Sequence, residues 1–187
     1  MELTINIFAL LKRLPFIPEK KFLEWYPPFF LMRVKVLEVK DNGRFVRLKL
    51  PLNMFSKNMG NSMFGGYQAA VADPIAALVC AKLFPGHEVW TRSQHIDFQH
   101  EGNSDLELLF EFPVETEQQI AADLAKKGRS TPTFEYGFYR NDGVRCSKII
   151  NTVAIRPKGY QLRREIKKSG EGRKQPEGLK PAEIEKE

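Results

Sequence analysis

Cysteine and histidine are scarce in this chain, with two and three copies respectively. Cys80 and Cys146 have no Cys-x-x-Cys spacing, which excludes a disulfide framework and favours reduced core thiols in a cytoplasmic protein. One long-range disulfide between them is the alternative. The histidines do not have the His-x-x-x-His or His-Glu-x-x-His spacing of zinc sites, so we predict no metal and no other cofactor. They are His87, His95 and His100.

The chain also lacks an uninterrupted apolar run of the ~20 residues that a membrane-spanning helix needs. Asp73 interrupts the longest run. The N-terminal sequence MELTINIFALLKRLP has an early acid and no small-residue cleavage site, so it is a poor match to a secretory signal. We expect a short amphipathic helix there, with Ile5 and Phe8 on one side, that packs against the domain. Weak peripheral membrane contact is the alternative.

The net charge of +6 is distributed unevenly along the chain. Residues 1–57 carry eleven basic and five acidic side chains, whereas residues 58–157 carry nine basic and twelve acidic ones. A basic segment beside a more acidic core suits an anionic small molecule, such as a phosphorylated cofactor or substrate. No nucleic-acid-binding signature accompanies it, so we expect no nucleic-acid partner. For most of these lysines a solvated surface with no specific partner is the simpler interpretation.

The composition is that of a globular protein with a substantial core. Hydrophobic residues make up 42% of the 187 residues, and 14 of them are Phe. A chain of this length most simply forms one domain. We predict a helical N-terminal extension at 1–29, the main domain at 30–157, and a charged, flexible tail at 158–187.

Hydrophobic periodicity and turn residues predict the order of the elements. Two hairpins are indicated by the turn sequences Asp41-Asn42-Gly43 and Asn141-Asp142-Gly143. A capping box at Thr116 is expected to begin a short helix that ends at Gly128. The predicted elements are a short helix at Glu19–Tyr26 that ends at Pro27-Pro28, strands at Phe30–Val39 and Arg44–Leu50, the apolar helix from Phe64 to near Phe84, and strands at Val89–Gln99, Asp105–Phe112, Thr131–Arg140 and Val144–Ile155.

This order predicts an α+β domain in which a curved antiparallel sheet surrounds one long helix. A helix this apolar needs a sheet wrapped around it, and we expect the strands after the helix to form a meander. Such a sheet leaves open edge strands, which two copies can hide by pairing. A homodimer, or a dimer of dimers, is therefore predicted.

Asp73 is the one acid inside the apolar stretch from Phe64 to Phe84. A buried carboxylate loses several kcal/mol of hydration unless something compensates, so its presence indicates a function. Its face of the helix is predicted to carry only small side chains, which let a ligand or another backbone approach closely. They are Gly66, Ala69, Ala70, Ala76, Ala77 and Cys80. The alternative is a helix that breaks at Pro74, with Asp73 only capping the next turn.

The run Asn58-MGNSMFGGYQAAVADPIAA resembles the helix-entry motif of hot-dog acyl-CoA thioesterases of the phenylacetate-pathway type. In that family the pattern is roughly N-x-x-G-x-x-H-G-G, with an acid seven residues later. The order of elements over 30–157 resembles the hot-dog fold. The strand TRSQHIDFQHEG and the helix inserted before the final hairpin are more similar still to a subgroup of uncharacterised thioesterase-like proteins.

The resemblance implies roles for four residues. Asp73 falls on the catalytic carboxylate, as general base on water or as nucleophile at the thioester carbonyl. Gly65 falls on the glycine whose N–H polarises that carbonyl at the helix N-terminus, which agrees with the helix dipole. Asn58 falls on a carbonyl- or water-orienting asparagine, and Thr91 lies near a water-positioning hydroxyl. In this family the site lies between subunits, so Asp73 and Thr91 would come from opposite chains.

The chain departs from the family pattern at two positions. Phe64 replaces the usual histidine, which removes a hydrogen-bonding group and supplies an apolar wall for an acyl chain. Asn61 replaces the usual glycine. We expect substrate contacts from Phe64 and Gly66, and from Arg92 and Ser93 beside Thr91.

Three functions follow as hypotheses. The first is hydrolysis of an acyl thioester of coenzyme A or of a carrier protein. The second is a non-catalytic module that binds acyl groups, which Phe64 favours. The third is a hydratase or dehydratase, which requires His95 or His100 to reach the helix entrance.

Overall fold

The computed structural model describes residues 19–160. The elements in chain order are α1 (Glu19–Glu24), α2 (Pro27–Leu31), β1 (Lys35–Lys40), β2 (Phe45–Leu50), α3 (Gly65–Leu83), β3 (His87–Phe98), β4 (Leu106–Glu111), α4 (Val114–Lys127), β5 (Thr133–Arg140) and β6 (Arg145–Pro157). A 3₁₀ turn at Asp41–Gly43 joins β1 to β2.

One six-stranded antiparallel sheet, in the order β1-β2-β4-β5-β6-β3, forms the body of the protein. The long helix α3 packs across β3, β6 and β4. The predicted α+β architecture, a curved antiparallel sheet around one long helix, is confirmed.

The predicted meander after the helix is wrong for its first strand. β4, β5 and β6 do follow one another in the sheet, but β3 pairs with β6 at the far edge, and β4 pairs with β2. The chain therefore leaves β2 in one half of the sheet, crosses under the sheet as α3, and re-enters at the opposite edge. Partner choice of this kind depends on long-range contacts, which local periodicity does not encode.

The core lies between the sheet and α3, and it follows the predicted alternation. Every second residue of β2 and of β4 is buried, as expected for a sheet with one face on the core. These inward side chains meet the buried face of α3. The fully buried sheet residues include Leu48, Leu50, Leu106, Leu108, Phe110, Phe138 and Ile149, and the helix contributes Val71, Ala72, Ile75, Ala76, Val79 and Cys80.

The predicted turns and helix end are confirmed. Asn42 (φ 57°) and Gly43 (φ 94°) turn the first hairpin, and Gly143 (φ 83°) turns the second. Gly128 ends α4 in the left-handed conformation and donates its N–H to the Leu124 carbonyl at 2.9 Å. Glycine and asparagine tolerate positive φ, which is why these positions could be read from the sequence.

Two predicted element starts are wrong, and a proline explains each. Pro27-Pro28 ends α1 but also begins α2, because proline at the first helical positions has a fixed φ and needs no N–H donor. The strand predicted from Phe30 therefore begins only at Lys35. The helix α4 starts at Val114, directly after Pro113, so Thr116 lies inside its first turn and caps nothing.

Part of the sequence-based prediction lies outside the described residues. The amphipathic helix around Ile5 and Phe8 falls in 1–18, and most of the predicted tail falls in 161–187. Within residues 19–160, no helix has both the length and the apolar character that a membrane crossing requires.

Both cysteines are free and buried, as predicted. Burial raises the pKa of both thiols, that of Cys80 to about 12. We expect neither thiol to react with an aromatic disulfide reagent at pH 8 in the native protein, and both to react in urea, because only the thiolate attacks. Rapid labelling of Cys80 without denaturant would contradict its packing between α3 and the sheet.

Candidate functional site

Asp73 lies inside one continuous helix, because α3 runs through Pro74 without a break. The alternative in which Asp73 caps a second helix is therefore wrong. The predicted burial of its side chain is also wrong for a single chain, where Asp73 is exposed. The carboxylate thus stands on the open face of an otherwise apolar helix.

The face around Asp73 is open only in its N-terminal half. Of the small residues predicted to share it, Gly66 and Ala70 are exposed and Ala69 and Ala77 are half-buried. The remaining two, Ala76 and Cys80, are fully buried in the core. Around the carboxylate the chain therefore presents a smooth strip of exposed backbone and methyl groups, which a second surface can approach closely.

The turn before Pro74 is fastened to the sheet by side-chain hydrogen bonds. An interior proline removes a helix donor and costs ~3 kcal/mol, so such a turn needs other support. The Thr91 hydroxyl (2.7 Å) and Asn151 Nδ2 (3.2 Å) both donate to the Asp73 carbonyl. Tyr136 Oη donates to the Ala72 carbonyl at 2.7 Å, and Gln94 Nε2 donates to the Ala69 carbonyl at 3.1 Å.

The donors form one buried network beneath Asp73. Asn151 Nδ2 also lies 3.0 Å from Tyr136 Oη and 3.3 Å from Gln94 Oε1. Burial raises the pKa of the Tyr136 hydroxyl, the bond from Asn151 lowers it, and the nearby Asp73 charge raises it further. The net direction is upward, so Tyr136 stays a donor at neutral pH. Sequence analysis missed Tyr136 and Asn151, because a lone polar residue in a strand gives no signal of its long-range partners.

Removing the Tyr136 hydroxyl should destabilise the protein measurably. In Tyr136→Phe the Ala72 carbonyl and Asn151 Nδ2 both lose a buried partner, which we expect to cost about 1–3 kcal/mol of the free energy of unfolding. Urea denaturation would measure it. Tyr139→Phe on the same strand, which is only half-buried, serves as the control and should change stability by less than about 0.5 kcal/mol. Equal stability of the two variants would contradict a role for this network.

A bulge in β3 determines where Thr91 points. The register of β3 on β6 shifts between Thr91 and Ser93, so Arg92 is the extra residue. Before the bulge Val89 and Thr91 are the shielded positions, and after it Gln94 and Ile96 are. One alternation therefore does not run through the whole of β3, because the unpaired residue changes which side chains face α3. The bulge lets Thr91 and Gln94 both reach α3.

Within one chain, Thr91 contacts the backbone of Asp73, and its predicted position across the subunit interface stays a prediction. Its hydroxyl donates to the peptide carbonyl of Asp73. Arg92 and Ser93, expected to bind substrate, are exposed on β3 beside this contact. Thr91 therefore supports the backbone that carries the carboxylate.

The N-terminus of α3 opens into a cavity of about 440 Å³. Gly65 is the first helical residue, and its N–H precedes the first intrahelical donors, Tyr67 and Gln68. A Cβ at Gly65 would lie 2.8 Å from the far end of the exposed Phe98 ring, so a side chain there requires this ring to shift. At Gly66 the same atom would lie 2.4 Å from the Phe64 ring, which packs edge-to-face on Tyr67.

Asn58 holds the loop that leads into α3. Its Oδ1 accepts from the N–H groups of Gly60 (2.9 Å) and Ser62 (3.1 Å), and its Nδ2 donates to Ser62 Oγ at 3.0 Å. Asn58 lines the cavity with Gly65, but its amide serves the loop. Asn61 has φ 60°, a left-handed conformation that asparagine tolerates, at the position where the resemblance implied a glycine.

The cavity contains polar groups that the sequence analysis did not assign. Gln99, His100 and Glu101 line it opposite Gly65, directly after the end of β3. Gln68 lies at its floor, buried, and accepts a hydrogen bond from Ser147 Oγ at 2.8 Å. His100 thus lines the same cavity as Gly65 at the helix entrance. It does so because β3, which ends just before His100, lies at the edge of the sheet beside α3. Within residues 19–160 no three His, Cys, Asp or Glu side chains are placed to hold a metal ion.

The two sheet edges are unequal. At β1, Glu24 of α1 accepts the Val36 N–H at 3.0 Å, and Lys20 donates to the Leu37 carbonyl at 3.3 Å, so α1 covers that edge. At the other end, β3 pairs only with β6 within the described part of the chain. β3 is twelve residues long and runs beside Asp73. A long open edge is the classical template for pairing with a second copy.

Comparison with solved structures identifies the fold. A protein of unknown function from Pseudomonas aeruginosa, a probable thioesterase, matches with a TM-score of 0.65 and 15% identity over 73% of this chain and 92% of its own. A protein of unknown function from Chlorobaculum tepidum gives 0.62 and 15% over 74% and 91%. A thioesterase from Haemophilus influenzae gives 0.54 and 9% over 71% and 84%. No protein-family model and no curated protein matches the sequence.

The chain therefore has the hot-dog fold, an α+β fold whose solved neighbours include proteins described as thioesterases. At these identities the likeness concerns the fold, and the chemistry has to be argued from the site itself.

Proposed function

We propose that this protein is a homodimeric hydrolase of acyl thioesters, with coenzyme A or a carrier protein as the thiol. The observation that carries the proposal is the exposed carboxylate of Asp73 on the small-residue face of α3, beside an open edge strand. Because this carboxylate is exposed in the single chain, it is accessible to water and to a thioester.

The two reacting groups come from different chains in this proposal. Gly65 and Asp73 are eight residues apart, so they are separated by about 12 Å along one helix axis. One thioester carbonyl cannot touch both groups of the same chain. Pairing of two β3 strands about a two-fold axis brings the helix entrance of one chain towards Asp73 of the other.

The proposed reaction is hydrolysis of the thioester, in which a C–O bond forms and the C–S bond breaks. Asp73 removes a proton from water, and the oxygen attacks the thioester carbon. The Gly65 N–H holds the developing oxyanion with the positive end of the helix dipole. The C–S bond breaks, the thiolate takes up a proton, and the carboxylic acid leaves. In the alternative route the Asp73 carboxylate attacks first, and water cleaves the resulting anhydride.

The apolar rings at the helix entrance support an acyl substrate. Phe64 and Phe98 are exposed there and lie against the glycines of the first turn. Rings in these positions offer an apolar wall to the acyl chain of the substrate, which follows the thioester carbonyl. Phe64 cannot supply the hydrogen bond of the family's histidine, and His100 and Gln99 are the polar groups of the same cavity.

The test is thiol release from a panel of acyl-CoA and acyl-carrier-protein substrates of increasing chain length. Release that saturates with at least one substrate supports the proposal. Tight binding of every acyl-CoA without release would select the non-catalytic acyl-binding alternative, which Phe64 favours.

A hydratase is a second candidate, because His100 and Glu101 line the cavity at the helix entrance. This candidate requires a histidine near that point. Loss of enoyl-CoA absorbance without thiol release, abolished in His100→Ala, would select it over hydrolysis.

A further inference from the structure

A second apolar surface lies away from the proposed thioester site. A groove of about 690 Å³ runs between α1, α2 and the loop after β2, and its lining includes Trp25, Phe30, Leu31 and Phe55. These four side chains are 45%, 62%, 74% and 59% exposed. We call them the groove rim. Monomeric soluble proteins rarely expose so many large apolar side chains together without a use.

The rim is a product of how α2 is built. Pro27-Pro28 begins a helix of a single turn, and Phe29 within it and Met32 directly after it are both buried in the core. The two residues between Phe29 and Met32, which are Phe30 and Leu31, then project outward from the end of α2. Within residues 19–160 nothing covers them. Their exposure is therefore fixed by the buried anchors on either side.

Basic side chains surround the rim. Lys21, Arg33 and Lys35 line the groove. Arg33 has φ 57°, unusual for a residue with a side chain, and its guanidinium carbon lies 5.5 Å from the centre of the Phe55 ring. Long basic side chains of this kind lie along apolar surface and keep their charge in water.

The single acid of the groove offsets one of these charges. Glu24 is buried, and its oxygens accept from the Val36 N–H (3.0 Å) and from Lys21 Nζ (2.7 Å). The charges of Arg33 and Lys35 remain, so the groove presents three exposed aromatic side chains and one exposed leucine beside two positive charges.

We propose that the groove rim docks on the surface of an anionic lipid bilayer. Tryptophan and other large apolar side chains insert at the headgroup level, and lysine and arginine beside them attract anionic headgroups. A second protein copy would not require the charges of Arg33 and Lys35, since the same charges on two copies would repel each other. Tyr67 lines the groove and packs on Phe64 at the helix entrance, so docking would bring that entrance close to the membrane.

The test is co-sedimentation of the full chain with vesicles of phosphatidylcholine alone or with phosphatidylglycerol added. We expect binding to the anionic vesicles that weakens as salt is raised. The double variant Phe30→Ser/Leu31→Ser and the charge reversal Arg33→Glu/Lys35→Glu should each bind at least about tenfold more weakly. All four positions lie outside the core, and circular dichroism checks that the variants fold.

Two single substitutions on α4 serve as controls, one for the loss of an exposed apolar side chain and one for a charge reversal. Val114→Ser removes an exposed apolar side chain from α4, and Lys126→Glu reverses an exposed charge there. Both should bind like the wild type. Vesicle binding needs no hydrolysis, so the result is independent of the thioesterase proposal.

Several outcomes would overturn the docking proposal. The wild type could fail to bind, could bind neutral and anionic vesicles equally, or could bind no better than the rim variants. A chain lacking residues 1–18 could lose binding while Phe30→Ser/Leu31→Ser keeps it, which would assign the membrane contact to those residues. Conversion of a dimer to a monomer by the rim variants, measured by light scattering, would assign the groove to a second copy.

Discussion

Replacing Asp73 by asparagine is expected to lower kcat/KM for thioester hydrolysis by about 10²- to 10⁴-fold. The amide keeps the size of the carboxylate but cannot take a proton from water or attack the carbonyl. Because Asp73 is exposed in the single chain, the change should leave folding intact. Thiol release measures the rate, and Glu115→Gln, an exposed acid on α4, is the control. Wild-type turnover of every substrate by Asp73→Asn would remove Asp73 from the mechanism.

The oxyanion donor can be tested at the same site with a pair of variants. Gly65→Pro removes the N–H at the first helical position, where proline is well tolerated, and Phe64 already has the extended ψ of 125° that a following proline needs. Gly65→Ala keeps the N–H and adds only the Cβ that meets Phe98. We expect a loss of about 10²- to 10³-fold for proline and a much smaller loss for alanine. Equal losses would show that the Phe98 contact, and not the N–H, matters.

Mixing the Gly65→Pro and Asp73→Asn variants tests whether one chain or two chains supply the residues of each site. If each site takes Gly65 from one chain and Asp73 from the other, a mixed dimer has one site with both defects and one with none. After subunit exchange of Gly65→Pro with Asp73→Asn, about a quarter of wild-type activity should return. No recovery, despite exchange verified by mass-tagged chains, would place both residues in one chain's site.

A large side chain at Ala70 is expected to separate the dimer and to abolish hydrolysis with it. Ala70 is exposed on α3 one turn before Asp73, on the face that we propose meets the partner. Arginine has nearly the helix propensity of alanine, so Ala70→Arg should fold as a monomer. Light scattering gives the mass, and thiol release gives the activity.

The control for Ala70→Arg is Ala122→Arg, an identical change at an exposed position of α4. It should remain dimeric and active. A wild type that is monomeric at all concentrations would refute the dimer and the composite site together. An Ala70→Arg protein as dimeric as the wild type would refute only the interface assigned to this face of α3.

The features that could be predicted from the sequence are those with local causes. The hairpins follow from residues that tolerate positive φ, and the alternation of β2 and β4 follows from one buried face. The bounds of α3 follow from two glycines at its start and Pro85-Gly86 after its end. The boundary errors also have local causes. Pro27-Pro28 was taken as an end where it is also a start, and Pro113 begins α4 before the capping box predicted at Thr116.

The candidate site likewise combines residues that the sequence indicates with contacts that only the fold creates. Asp73 stands out by residue type, and the family resemblance indicated Gly65 and Asn58. The structure places all three on α3 or on the loop that leads into it. His100 reaches the helix entrance only because β3 crosses to the far edge of the sheet. The turn of Thr91 towards Asp73 depends on the bulge at Arg92.

The sequence alone determined that a single apolar helix with one acid is surrounded by hairpins, because helix length, turn chemistry and alternation depend on neighbouring residues. The tertiary structure alone decided which side of that helix stays open, which strand forms the free edge, and which side chains support the peptide before Pro74. These depend on pairing between segments far apart in the chain, and the free energy of such pairing belongs to the assembled sheet and to no single segment.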